Sequence, residues 1–130
     1  MSVLADTSVW IDHFRSENPR FVNLLNNGEV LIHPMVIGKL ACGNLRNRSA
    51  TLEILNELPA IRVIEYGDIL DLIDYNRLMG KGIDYVDVHL LASVDMDGSA
   101  LLWTLDRRLR DAAAELSIGY TPEQERRTIL

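Results

Sequence analysis

The sequence has one cysteine, no basic leader and no long apolar run, and each shortage excludes a class of protein. The single Cys42 excludes an intrachain disulfide framework and favours a reducing compartment. The first apolar run contains Asp6 and Asp12 and lacks basic residues before it, which is not typical of a secretion signal. No apolar run approaches the roughly 20 residues that span a bilayer. These absences predict a cytoplasmic protein that does not enter a membrane.

Positive charge is also in short supply. The chain has 13 Lys and Arg against 19 Asp and Glu, a formal net charge of −6, which argues against a broad basic surface for nucleic acid. Residues 65–97, with eight acids and two basic residues, account for all of this charge. Small basic clusters remain elsewhere, at Arg46, Arg48, Arg107, Arg108 and Arg110. Contact with nucleic acid is therefore expected only at local patches.

The 130 residues are 48% hydrophobic, which suits one domain over residues 1–130 with a single core. Short apolar runs predict strands at 2–6, 29–33, 61–65, 100–104 and 118–121. Amphipathic segments predict helices at 9–14, 19–27, 34–43, 49–58, 68–80, 84–94 and 106–116. Because the strands are continuous apolar runs, they suit a parallel sheet covered on both faces. The predicted fold is α/β, a three-layer α/β/α sandwich with a mostly parallel central sheet.

Three aspartates deserve notice because ligands of such folds bind beyond the carboxyl ends of the strands. Asp6 follows the first strand and Asp106 a later one, although either could simply cap the next helix. Asp87 lies in a nearly all-apolar helix, where a carboxylate needs a cation, a metal or several hydrogen bonds. The plainer alternative is that Asp84 caps this helix and Asp87 binds backbone amides.

Three carboxylates at one sheet edge predict a metal site. Oxygen ligands select hard ions, Mg²⁺ or Mn²⁺, rather than zinc. Such ions activate water and neutralise the charge that develops on a phosphodiester. The three histidines lack metal-ligand spacing, Cys42 has no obvious base beside it, and no phosphate-binding Gly-rich loop is present. The residues alone thus favour metal-assisted hydrolysis of phosphodiesters.

Three stretches of the sequence match the motifs of a known family: "VLADTSVWIDHF", "GIDYVDVHLLASV" and "LLWTLDRRLRDAAAEL". In this order and spacing they resemble the PIN-domain toxins of VapC type over nearly the whole chain. The resemblance implies a Mg²⁺-dependent endoribonuclease, the toxin of a type II toxin–antitoxin pair, that cleaves structured RNA such as tRNA or rRNA. It also implies a cognate antitoxin, which inserts a segment into the active-site groove, and a homodimer. Trp10 and Phe14, expected to be exposed, are candidates for the dimer surface.

The same resemblance assigns roles to individual residues. Asp6 and Asp87 become the principal metal ligands, and Asp106 is the acid that completes the pocket. Thr104 is a neighbouring polar residue on the substrate side. Arg107 and Arg108 are expected near the incoming phosphates.

One position departs from the family pattern. The family has a glutamate on the helix after the second strand, in a pattern like V-x-x-E-L-x-x-G, and "VIGKLACG" places Lys39 there. Lys39 also falls on the apolar stripe of its helix, so we expect it to face inward and pair with Asp6 or Asp87. The hypothesis is that Lys39 partly replaces the metal and weakens Mg²⁺ affinity and catalysis. The alternative is that its amine reaches solvent along the methylene stem.

One alternative function fits the sequence, and two others lack the residues they need. A catalytically weak or inactive PIN-like module that binds an antitoxin or RNA without cleavage is favoured by Lys39, which is either natural or a charge reversal made or selected against toxicity. A phosphotransfer receiver domain needs an acceptor Asp after a middle strand, and "IRVIEYGD" offers no convincing one. A haloacid-dehalogenase-like phosphatase needs D-x-D after its first strand, whereas this chain has "ADTS".

Overall fold

This computed structural model describes residues 1–122, which form three strands and seven helices. The strands are β1 (Ser2–Ala5), β2 (Val30–Leu31) and β3 (Ala100–Trp103). The helices are α1 (Thr7–Arg15), α2 (Pro19–Asn26), α3 (Pro34–Ala41), α4 (Arg48–Glu57), α5 (Tyr66–Tyr75), α6 (Tyr85–Asp97) and α7 (Arg107–Glu115). The sheet order is β2-β1-β3 and both pairings are parallel, so the predicted α/β class is confirmed.

Strand β1 lies at the centre of the sheet and of the core. Its residues Val3, Leu4 and Ala5 have no exposed surface. Because successive residues of a strand point to opposite faces, their complete burial means that helices cover both faces of the sheet. β1 pairs with β3 from Ser2–Ala100 to Ala5–Trp103. This register brings the carboxyl ends of β1 and β3 to the same edge.

Two predicted strands are wrong. Residues 61–65 form no bridge, and only Ala60 just before them makes an isolated bridge, with Ile32; the segment 118–121 makes one isolated bridge, between Gly119 and Leu102. In the first case the Ile32 amide donates to the Pro59 carbonyl at 2.9 Å, and the Ile61 amide donates to Ile32 at 3.0 Å, after which no ladder continues. The apolar side chains of 61–65 are explained by packing, since Ile61 and Ile64 are buried in the core.

Several helix boundaries and exposures also differ from the prediction. Helix α4 begins at Arg48, after Asn47 with φ 48°, one residue before the predicted start. Helix α5 ends at Tyr75 instead of continuing to Gly80, because Arg77 takes a left-handed conformation with φ 51°. Met79, which lies beyond the end of this helix, is 56% exposed.

Trp10 does not offer a dimer surface. It is buried and packs edge-on against Phe21, with ring centroids 4.7 Å apart. Phe14, on the same helix, is 45% exposed as expected. No helix within residues 1–122 has the length and apolarity that crossing a membrane requires.

Candidate active site

Asp6 is a buried carboxylate with hydrogen bonds to both oxygens. It ends β1 and caps α1: its Oδ1 accepts hydrogen bonds from the Ser8 amide at 2.8 Å and from the Ser8 hydroxyl. Its Oδ2 accepts from the Thr104 hydroxyl at 2.6 Å. The capping alternative for Asp6 is thus present, but the bond to Thr104 goes beyond capping. Ser8 was not predicted from the sequence as a site residue.

Thr104 joins two of the predicted acids. It is buried at the end of β3, and its hydroxyl both donates to Asp6 and accepts from the Asp106 amide at 3.0 Å. Asp106 is exposed and caps α7, accepting from the Leu109 amide at 3.0 Å. Thr104 therefore positions Asp6 relative to the start of α7, and its hydroxyl is already engaged on both sides.

Asp87 is half-buried on the first turn of α6, where it forms a capping box with Asp84. The Asp84 carboxylate accepts from the Asp87 amide at 2.8 Å, and the Asp87 carboxylate accepts from the Asp84 amide at 3.1 Å. The plainer alternative for this pair is therefore observed. Even so, burial raises the pKa of Asp87 to about 6; the Asp84 amide and Lys39 lower it, while the charges of Asp84 and Asp106 raise it. Asp87 is a carboxylate whose ionised form is poorly compensated.

Lys39 does not face inward. It is exposed, and within residues 1–122 its amine makes no hydrogen bond and no ion pair within 4 Å. The expected direct pairing with Asp6 or Asp87 is therefore not formed. Lys39 instead acts on Asp87 at longer range, since its charge lowers the pKa of that carboxyl. The alternative in which the amine reaches solvent describes its position better.

The two arginines expected near phosphates are both exposed at the start of α7. Arg108 crosses the loop that leads into α6 so closely that a Cβ at Gly82 would lie 2.6 Å from its Cδ and Nη1. Gly82 has φ +77°, a conformation in which glycine is unstrained. The neighbouring Lys81 forms an ion pair with Glu115 of α7. This loop contact was not visible in the sequence and connects the starts of α6 and α7.

Two buried histidines lie near this edge. His33 caps α3, where its Nδ1 accepts from the Met35 amide at 3.1 Å, and its ring centroid is 6.1 Å from that of His89. Burial, together with the charge of His89, lowers the pKa of His33 to about 4; burial also lowers that of His89. Both rings are therefore uncharged near neutral pH, and they add no positive charge to the acids.

The site residues suit a metal ion by their chemical type but are not arranged as a metal-binding cluster. The donors are carboxylate oxygens, which suit Mg²⁺ or Mn²⁺, and the raised pKa of Asp87 is what a nearby cation would relieve. In the described part of the chain, however, no group of three or more His, Cys, Asp or Glu residues is arranged to hold a metal ion. The carboxylates thus fit a hard cation in kind, and the gathering of Asp6, Asp87 and Asp106 into one ligand set stays a prediction.

This chain is an α/β protein with an acidic site at one edge of its parallel sheet. The family model of the PIN domain matches residues 3–115, and the chain belongs to this family.

The likeness extends to particular relatives. Ribonuclease VapC32 of Mycobacterium tuberculosis, in strains CDC 1551 / Oshkosh and ATCC 25618 / H37Rv, is 41% identical over 121 residues, covering 93% of this chain and 98% of the relative. The predicted resemblance to VapC-type proteins is therefore confirmed. The crystal structure of PAE2754 from Pyrobaculum aerophilum has a TM-score of 0.61 at 13% identity and covers 90% of this chain and 96% of that one. That likeness shows the fold alone.

Proposed function

We propose that this chain is a metal-dependent endoribonuclease, the toxin of a type II toxin–antitoxin system. The family and the 41% identity to a ribonuclease support the reaction class. The observation that carries the proposal is the pair of unlike carboxylates at one sheet edge: Asp6, fixed through Thr104 to the start of α7, and Asp87, poorly compensated beside Asp84 and Asp106.

In this proposal Asp6, Asp87 and Asp106 would hold Mg²⁺ or Mn²⁺. The ion, when bound, supplies an activated water and neutralises charge on the phosphate. The chain's own residues do the positioning: Ser8 and Thr104 fix the carboxylate of Asp6. Arg107 is exposed at the start of α7 and is assigned to a substrate phosphate. Arg108 combines such a contact with its packing across Gly82.

The test is cleavage of a labelled tRNA with Mg²⁺, with Mn²⁺ and with EDTA. We expect cleavage that EDTA stops and that Asp87→Asn reduces by about a hundredfold, the upper end of what loss of even an outer partner of a metal ligand costs. Arg62→Gln, an exposed change outside the site, is the control. Cleavage that persists in EDTA would contradict the metal-dependent mechanism.

Lys39 is proposed to attenuate the enzyme. It lowers the pKa of Asp87 and so partly supplies, through the protein, the positive charge that a metal would provide. Lys39→Glu is expected to increase both Mg²⁺ affinity and Mg²⁺-dependent cleavage, whereas Arg62→Glu makes the same charge change away from the site. Equal cleavage and equal metal affinity in Lys39→Glu and the parent chain would refute the attenuation.

A second candidate is a PIN-like module that binds RNA or an antitoxin without cleavage. Lys39 at the glutamate position and the lack of a three-ligand metal cluster in residues 1–122 favour it. The tRNA experiment separates the two, because this candidate predicts RNA binding without cleavage at any Mg²⁺ or Mn²⁺ concentration.

The remaining parts of the proposal rest on the family resemblance. They are a cognate antitoxin that covers the active-site groove, a structured RNA of the tRNA or rRNA class, a homodimer and a cytoplasmic location. Light scattering of the purified chain tests the dimer, and a mass of one chain at micromolar concentration would contradict it.

A further inference from the structure

A groove is lined by α1, α3 and the segment that joins α3 to α4. Its volume is about 760 Å³. Apolar side chains form part of its wall: Phe14 is 45% exposed and Ile11 is 42% exposed. The Phe14 ring is held by its neighbours, with its centroid 5.9 Å from that of Trp10 and 6.2 Å from that of His13. An aromatic ring is thus fixed in place with much of its surface open.

The charge of this groove is opposite to that of the chain. Three cations line it, Arg15, Lys39 and Arg46, and no acidic residue is among the described residues of its wall. All three side chains are exposed, and within residues 1–122 none of them forms an ion pair within 4 Å. In a protein of net charge −6, an unpaired basic groove is a specific feature that suits an anionic ligand.

Helix α1 connects the groove to the candidate active site. Helix α1 carries Ser8, which binds Asp6, and one turn further Ile11, then Arg15, on the same helical face. Ser8 and Arg15 are about 10 Å apart along the helix axis. A ligand that extends from the groove along α1 therefore approaches Asp6.

We propose that this groove binds a single-stranded segment of the RNA that flanks the phosphodiester at the carboxylates, so the inference rests on the proposed ribonuclease function. Arg15 and Arg46 bind the backbone phosphates, and Phe14 stacks on a base. The combination of several cations with an open aromatic ring is the usual way in which proteins hold single strands. An acidic peptide would use the cations, but the connection along α1 to Asp6 favours the strand that is cleaved there.

The test is binding of a fluorescein-labelled oligouridylate of about 12 nucleotides, followed by anisotropy in EDTA so that no cleavage occurs. The double variant Arg15→Gln, Arg46→Gln is compared with Arg62→Gln, Arg77→Gln, which removes two exposed charges outside the groove. We expect about a tenfold weaker affinity at low salt for the groove variant, and a salt dependence shallower by about 1.4 in log–log slope. Phe14→Leu keeps an apolar side chain and is expected to weaken binding without changing the slope.

Each outcome decides the proposal. Equal losses in the two double variants would overturn it, because they would indicate general charge attraction. Unchanged RNA binding in the groove variant, with loss of binding to an oligoglutamate peptide, would also overturn it and assign the groove to an acidic peptide. Loss of RNA binding in a chain that shows no metal-dependent cleavage would support the groove while refuting the ribonuclease proposal, so the two failures are distinguishable.

Discussion

The site consists of two halves that hold their carboxylates in different ways. In the first half, Asp6 is 6% exposed, and its carboxylate accepts hydrogen bonds from the Ser8 amide, the Ser8 hydroxyl and the Thr104 hydroxyl. In the second half, Asp87 accepts one bond, from the Asp84 amide, and lies near two further acids. The first carboxylate is compensated by the fold, and the second is left partly uncompensated.

This difference separates structural from chemical roles. A buried carboxylate with several donors stabilises the structure, and its removal leaves those donors unpaired. A carboxylate whose ionisation is opposed by burial and by neighbouring acids makes the fold less stable and gains from a cation. A site that must keep a fixed geometry and also bind a cation needs one carboxylate of each type.

The largest expected effect comes from removing the compensated carboxylate. Asp6→Ala removes the cap of α1 and leaves the Thr104 hydroxyl and the Ser8 amide without their acceptor. We expect the free energy of unfolding in urea to fall by about 3 kcal/mol. The matched control is Asp106→Ala, an exposed cap whose loss costs about 1 kcal/mol. Equal losses in the two variants would show that Thr104 adds nothing.

A smaller effect is expected at the loop that connects the two halves. Gly82→Ala places a Cβ where the Arg108 side chain lies and forces alanine into a left-handed conformation. The arginine can move, so the backbone strain dominates, and we expect a loss of about 1.5 kcal/mol. Gly80→Ala, with φ +73° and open space around its Cβ position, is the control for strain alone. A difference between the two variants that disappears in the Arg108→Ala background would establish the contact.

Removing the charge of the uncompensated carboxylate, Asp87, is expected to stabilise the fold rather than destabilise it. Because the pKa of Asp87 is raised from 3.8 to about 6 in the folded chain, its ionisation costs stability. This cost is absent below pH 3.8, grows as the pH rises to about 6 and is constant above that. Asp87→Asn should therefore be more stable by up to about 1 kcal/mol at pH 7, after allowance for solvent screening, and equal to the parent chain at acidic pH.

Calorimetric unfolding at several pH values measures this difference. Mg²⁺ is expected to raise the Tm of the parent chain and to have a smaller effect on Asp87→Asn. A variant that is less stable than the parent chain at pH 7 would contradict the contrast between the two halves.

The smallest effect is expected at the ion pair between Lys81 and Glu115. Both side chains are partly exposed, so Glu115→Gln should change the free energy of unfolding by no more than about 0.5 kcal/mol. A loss above about 1 kcal/mol in urea unfolding would mean that the loop before α6 depends on this pair more than on the Gly82 contact.

Local signals made much of this site predictable from the sequence. Asp6, Asp84 and Asp106 each precede a helix, and each caps it in the structure. The apolar runs of β1 and β3 predicted buried parallel strands with their carboxyl ends at one edge. Such features depend on a few neighbouring residues, which is why a sequence pattern indicates them.

Features that depend on distant residues were missed. The bond from Thr104 to Asp6 joins residues 98 positions apart, and nothing in the sequence near Asp6 indicates it. The packing of Arg108 across Gly82 is similarly non-local. Lys39 was expected inside because it follows Val36 by three residues, yet the edge of the α3 stripe at that point borders the groove rather than the core. A helical stripe predicts which residues share one side of a helix. Whether that side is buried depends on the elements that pack against it.

The pairing of β1 with β3 has a consequence for synthesis. The first strand made on the ribosome can pair with residues 30–31, but it acquires its second partner only when residues 100–103 have been translated, and the Asp6 carboxylate acquires its Thr104 donor one residue later. A nascent chain that stops earlier carries Asp6 with its Ser8 donors but without the Thr104 hydroxyl that binds the second carboxylate oxygen. The site is therefore completed late in translation, and a truncated product of this chain is expected to be inactive.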